Sequence, residues 1–317
     1  MLCRICGNDK DNTDYYPKDY EFGGEHTFHY FQCSKCKCLQ IAEIPADMSI
    51  YYNSGYYSFE PPKQGITNEL RRMRDSLLIK SGGGGVLARL FPGQLLTFLV
   101  KNNFLSKKDK ILDVGCGAGS LLFSLKENGF NDVLGIDPFL DDTIRYENGL
   151  VILKKTIHEL EGGGFNLIMM NHSFEHMSDP FETLESASRL LADDGVCLIR
   201  VPTVSSFAWE RYKESWILLS APQHFYLHSV ESLKYMAEKS GFCLDRVIYD
   251  SSVYTNVLRQ DEFIKNNIIP RNNGSFSDDI KNYILNFPKI IKYQKIAEEL
   301  NEKNQGECCA FVLKKRV

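Results

Sequence analysis

From Lys110 onward the chain alternates short apolar runs with stretches of helical periodicity. Ile111–Val114, Val133–Ile136, Val151–Leu153, Leu167–Met170 and Val196–Val201 read as strands, with amphipathic helices between them. That alternation predicts a parallel sheet in a Rossmann-like, doubly wound α/β fold. A ligand is then expected beyond the carboxyl ends of the strands, where Gly115, Asp137 and Asn171 fall. Ser229–Ser240 reads as a further helix, Phe242–Tyr249 as a strand and Cys308–Leu313 as the last strand. The polar stretch 251–305, partly helical around 278–301, is too long for a hairpin turn. It is expected to cover an active-site mouth or to mediate self-association into a homo-oligomer.

Upstream, Thr67–Lys80 has helical spacing with Leu70, Met73, Leu77 and Leu78 on one side. Ser81–Gly85 reads as a flexible break and not a phosphate loop, because no Lys-Ser/Thr follows and no apolar strand precedes it. Val86–Phe104 continues helical and apolar, and Tyr15–Phe31 is aromatic and strand-like. The expected division is a small N-terminal module over 1–60, a helical connector over 61–105, and an α/β domain over 106–317 with an insertion at 251–305.

Composition narrows the class. With 317 residues, 43% hydrophobic and 25% charged, the chain has the balance of a soluble globular protein of about two domains. No apolar run reaches the roughly 20 residues needed to span a bilayer, and Met1-Leu-Cys-Arg-Ile-Cys6 has no secretory character, so a cytoplasmic location is expected. A net charge of −4 gives no global attraction to nucleic acid, which is therefore not the expected partner.

Five of the ten cysteines fall in the first 40 residues. Cys3-x-x-Cys6 and Cys33-x-x-Cys36 are two knuckles that together supply four thiolates for a tetrahedral zinc site. Cys38, His26 and His29 are alternative ligands close in sequence; the symmetric pairs are preferred. A four-cysteine site has no open position, so the zinc is expected to be structural. The other cysteines, Cys116, Cys197, Cys243, Cys308 and Cys309, sit in apolar contexts and read as buried thiols.

Lys110-Ile-Leu-Asp-Val-Gly-Cys-Gly-Ala-Gly-Ser120 is an apolar strand running into Gly115-x-Gly117-x-Gly119. Glycine at these positions lets the chain turn tightly and approach a ligand with no Cβ in the way. Asp137, about 20 residues on, stands where a ribose-binding carboxylate is expected. The spacing differs from the G-x-G-x-x-G that cradles a pyrophosphate, so a bulky cofactor without phosphates fits better.

On these residues the chain resembles the class I S-adenosylmethionine-dependent methyltransferases. Leu112–Gly119 is similar to their first motif, Gly135-Ile-Asp-Pro138 to the second, Phe165–Pro180 to the fourth strand with its loop, and Leu190–Pro202 to the helix, turn and fifth strand. The resemblance implies S-adenosylmethionine as cofactor, with contacts from Asp113, Gly115, Gly117, Gly119, Asp137, Thr156, Ile157 and Asn171. A similar zinc ribbon followed by a tyrosine-rich segment, here Tyr51–Tyr57, precedes the core in enzymes acting on sugars and other small metabolites.

Five of the seven histidines lie in the core region, and His172, His176, His224 and His228 fall in segments expected at the carboxyl edge of the sheet. A hydroxyl acceptor must lose a proton during methyl transfer, a task suited to histidine. Trp216–Ser229 resembles a segment of sugar C-methyltransferases, with His224 in the place of a catalytic histidine. There an acidic residue precedes that histidine; here Gln223 stands instead, and glutamine cannot abstract a proton. The resemblance thus implies O-methylation of a sugar, nucleotide-sugar or glycan, a small-molecule or glycan acceptor, with His224, His176 and His172 as candidate bases in that order. Methylation of RNA, and a non-catalytic protein that keeps the cofactor fold, are the alternatives.

Overall fold

The computed structural model describes residues 1–20, 26–51, 59, 66–84, 95–252, 260 and 292–316. Its strands are β1 (Thr13–Tyr15), β2 (Tyr30–Gln32), β3 (Leu39–Ile41), β4 (Ile111–Val114), β5 (Val133–Ile136), β6 (Ile144–Arg145), β7 (Val151–Leu153), β8 (Phe165–Asn171), β9 (Leu191–Pro202), β10 (Tyr226–Leu227), β11 (Phe242–Tyr249) and β12 (Cys308–Lys315). Its labelled helices are α1 (Ile66–Lys80), α2 (Leu95–Lys101), α3 (Ser120–Glu127), α4 (Pro180–Leu190), α5 (Phe207–Tyr212) and α6 (Val230–Lys239). The expected strands and helices of the core are present, some lengthened by pairing. Phe165 pairs with Leu191, which extends β8 and β9 past the apolar runs that marked them. The two-residue strands β6 and β10 are too short to leave a periodic signal.

The chain divides into two compact units. One comprises Met1–Ala46, Pro202–Ser232 and Ile248–Cys309; the other comprises Asp47–Val201, Leu233–Val247 and Ala310–Val317. This differs from the division expected along the sequence, where 1–60 stood as a module by itself. The reason is visible in the four-stranded sheet β1-β2-β3-β10, whose last strand comes from far along the chain. Leu39 pairs with Leu227 and Gln40 with Tyr226, and the Arg4 guanidinium donates to the Tyr226 hydroxyl at 2.9 Å. A segment of 46 residues buries little core alone. Tyr30, Phe31, Tyr226, Trp209 and Trp216 are all fully buried within this unit.

The second unit carries an eight-stranded sheet in the order β11-β12-β9-β8-β4-β5-β7-β6. The pairs β7–β5, β5–β4, β4–β8 and β8–β9 are parallel, and β6 pairs antiparallel with β7. Every residue of β4 is buried, as expected where helices cover both faces of a parallel sheet. The register sets Asp113 beside Gly135 and Asn171 beside Arg200, which aligns the carboxyl ends of β4, β5, β8 and β9 along one edge.

Two expectations upstream are corrected. The described part of the glycine run closes α1: the Gly83 amide donates to the Leu78 carbonyl at 2.9 Å, and Gly82 and Gly83 have φ of +65° and +70°. A Cβ on Gly83 would lie 2.8 Å from the Lys101 backbone nitrogen, so this turn is a cap seated against the end of α2, not a flexible break. On α1 itself only Leu78 of the expected apolar side is buried, while Leu70, Met73 and Leu77 are exposed. Asp75 points inward instead, accepting from the Ser124 hydroxyl on α3 and from the Arg74 guanidinium. Tyr52–Tyr57 and most of the 251–305 insertion lie outside the described residues; 292–302 is helical.

Candidate functional site

The turn after β4 is built by backbone geometry that side chains oppose. Gly115, Gly117 and Gly119 have φ of +74°, +55° and +75°, in the left-handed region where a Cβ is strained. Space forbids a side chain at two of them as well. A Cβ on Gly115 would fall 2.5 Å from the Ser173 Cβ, and one on Gly119 would overlap the Ile152 side chain. Ser173 stands there because its hydroxyl donates to the Val114 carbonyl at 2.7 Å, tying the loop after β8 to the end of β4.

Asp137 closes the turn from the neighbouring strand. One carboxylate oxygen accepts from the Gly117 amide at 2.9 Å and the other from the Phe139 amide at 3.0 Å. Burial raises the Asp137 pKa, and these two amides oppose the rise. Asp113 is buried too; burial first, and the Asp137 carboxylate second, push it up to about 7. Between the two acids, burial and both carboxylates hold the Cys116 thiol well above its usual range. The result is a glycine cradle edged by two carboxyls, Asp137 hydrogen-bonded to two backbone amides and Asp113 with its pKa raised to about 7. A cationic or hydroxyl-rich ligand meets complementary groups there; a pyrophosphate meets like charge.

Thr156 and Ile157 follow β7 on a short helical turn. The Thr156 amide and hydroxyl both meet the Glu159 carboxylate, at 2.7 and 2.8 Å, and Ile157 is buried. Asn171 ends β8, and His172 follows with φ of +49°. The Arg200 guanidinium reaches both, donating to Asn171 Oδ1 at 3.1 Å and lying 2.7 Å from His172 Nε2. His172 Nδ1 is 3.4 Å from the buried Glu175 carboxylate. His176 is half-buried on the turn Phe174–His176, its amide donating to the Ser173 carbonyl at 3.1 Å. Arg200 and Glu175 escaped the sequence reading. The available signal was a lone arginine inside the apolar run Val196–Val201.

The other unit holds the remaining candidates. His224 is buried, with Nδ1 2.8 Å from the Leu218 carbonyl. A carbonyl only accepts, so Nδ1 carries a proton. His228 is packed away instead, its ring stacked on Tyr226 at 5.7 Å and its Nδ1 4.0 Å from Cys38 Sγ.

The sulfurs of Cys3, Cys6, Cys33 and Cys36 all lie within 4.8 Å of one another. Cys3 to Cys36 is 3.6 Å and Cys6 to Cys33 is 3.5 Å, close to the roughly 3.8 Å edge of a tetrahedron of thiolates around zinc. Each knuckle ends on a residue of positive φ, Gly7 at +70° and Lys37 at +58°, whose amide donates back to Cys3 or Cys33. The hydrogen bond with Cys36 lowers the pKa of the Cys3 thiol. Gln40 braces the cluster, its amide 3.1 Å from Cys3 Sγ and its Oε1 accepting from the Arg4 amide at 3.0 Å. Cys38 lies outside this group.

Comparison with known proteins identifies the family of the domain that carries the cradle. The methyltransferase-domain family matches residues 87–247, half of the chain. The ubiquinone biosynthesis O-methyltransferase of Psychrobacter arcticus is 29% identical over 160 residues, 44% of this chain and 61% of that protein. The tRNA U34 carboxymethyltransferase of Photobacterium profundum is 24% identical over 176 residues, 50% of this chain and 52% of that protein. The chain thus spans less than two thirds of the length of these curated relatives. Among solved structures, an S-adenosylmethionine-dependent methyltransferase from Archaeoglobus fulgidus aligns with a TM-score of 0.43 at 22% identity, over 69% of this chain and 91% of that one. Among the described residues no helix is long and apolar enough to cross a membrane.

Proposed function

This chain belongs to the S-adenosylmethionine-dependent methyltransferases, and from that premise we propose that it methylates a hydroxyl oxygen of a sugar, nucleotide-sugar or glycan. The observation that carries the cofactor assignment is the Asp137 carboxylate bridging Gly117 and Phe139 at the mouth of the glycine cradle. S-adenosylmethionine supplies an electrophilic methyl group on a cationic sulfonium.

The chain's own groups then have separate tasks. Gly115, Gly117 and Gly119 admit the cofactor's amino-acid end against bare backbone, and Asp113 offers it a buried carboxyl. Asp137 takes the ribose hydroxyls on its remaining lone pairs. Thr156, Ile157 and Asn171 line the rest of the cofactor's seat. His224 is the first candidate to accept the acceptor hydroxyl's proton, with its ring held by the Nδ1 bond to the Leu218 carbonyl. His176 is second in line as base. His172 is third, because Arg200 already occupies its Nε2 lone pair. Gln223, beside His224, has no basic group, which supports oxygen over carbon as the methylated atom.

Cys3, Cys6, Cys33 and Cys36 hold one structural zinc. The sulfur spacing supports this, and four thiolates leave no position for substrate.

The test is mass spectrometry of acceptor panels incubated with the chain and S-adenosylmethionine, reading the gain of one methyl group. Nucleotide-sugars and glycans form one arm, benzoquinol-type phenols and transfer RNA the others. Methylation confined to the sugar arm supports the acceptor class; methylation confined to either of the others replaces it.

A further inference from the structure

β9 carries one charged side chain in its buried half. Arg200 is 4% exposed in the run Val196-Cys-Leu-Ile-Arg-Val201, and a guanidinium stays charged at any pH a folded protein meets. It also has no acceptor atom. At 2.7 Å from His172 Nε2, it must donate, so Nε2 holds the lone pair and the ring proton sits on Nδ1. That nitrogen faces Glu175, which is fully buried, at 3.4 Å. The imidazole thus stands between a buried cation and a buried carboxyl group. The same guanidinium donates to Asn171 Oδ1 at 3.1 Å, which leaves the Asn171 amide group with its two N–H donors to offer a ligand.

We propose that Arg200 is a positioning residue that fixes the polarity of the end of β8: His172 as the neutral Nδ1–H tautomer, and Asn171 as a hydrogen-bond donor. The Asn171 Nδ2 group then offers its donors to an acceptor on the ligand, a hydroxyl or carboxylate oxygen. Only the identification of that ligand as cofactor or methyl acceptor rests on the function proposed above.

The direct test is nitrogen-15 spectroscopy of the full chain labelled at histidine, with His172→Gln to assign the ring. The wild-type spectrum should show Nδ1 protonated and Nε2 bare. Arg200→Gln should move His172 toward the Nε2–H tautomer and weaken S-adenosylhomocysteine binding about tenfold, the scale of one charged hydrogen bond. Arg200→Lys, which keeps a cationic donor, should recover part of both. Should Arg200→Gln fail to fold because Glu175 loses its counter-charge, the double variant with Glu175→Gln removes both charges. A wild-type ring protonated on Nε2, or a tautomer unchanged in the Arg200→Gln protein, overturns the proposal. Absence of any S-adenosylhomocysteine binding by wild type, with the tautomer as expected, counts against the cofactor reading and leaves the positioning role standing.

Discussion

Asp137 turns its carboxylate back onto the Gly117 amide, 2.9 Å away, so the residue expected to bind a ribose also holds the glycine turn in shape. The two jobs use different lone pairs of one group. Burial raises the Asp137 pKa, and the amides of Gly117 and Phe139, which favour the charged form, oppose that rise.

Asp113 has no such help, and its pKa of about 7 makes the folded state sensitive to pH. Between the ordinary carboxylate value of 3.8 and about 7, the folded chain keeps a proton that the unfolded chain has released. Stability therefore falls as pH rises through that window and levels off above it. Urea denaturation at about pH 5 and about pH 8 should show this decline, and Asp113→Asn should reduce it. A decline of the same size in the variant would assign it to another group.

The strands β4, β5 and β7 were legible to the residue, because strands inside a parallel sheet read as short apolar runs, here interrupted only by Asp113 and Gly135. The glycine turn and Asp137 were equally legible, since positive φ and a carboxylate at the next strand end are local demands. Pairing across the chain was not. Nothing near Tyr226 says that it will complete a sheet begun at Thr13, because a two-residue strand has no period. Arg200 went unread for a related reason: its partners Asn171 and His172 are fixed by register between β8 and β9, which the sequence does not state.

Metal analysis should find one zinc per chain. Substituting serine at Cys3, Cys6, Cys33 or Cys36 should lower the metal content and destabilise the first unit, given the roughly 10–16 kcal/mol that structural zinc contributes to small sites. Cys38→Ser should keep its zinc, since that sulfur faces His228. Loss of metal from the Cys38 variant alone would reassign the ligands.

His224→Ala should lower turnover by about 10²–10⁴ while leaving S-adenosylhomocysteine affinity nearly unchanged. His172→Ala should cost less through proton transfer, its Nε2 being engaged by Arg200. Equal losses of cofactor affinity and turnover in the His224 variant would make it a pocket-building residue and pass the role of base to His176.

Calorimetric titration of S-adenosylhomocysteine into the wild-type chain and into Asp137→Ala tests the cofactor site most directly. The account predicts one molecule bound per wild-type chain. In the variant it predicts an affinity weaker by about tenfold to a hundredfold, the scale of losing charged hydrogen bonds to two hydroxyls. Unchanged affinity in Asp137→Ala would contradict the placement of the cofactor in the glycine cradle.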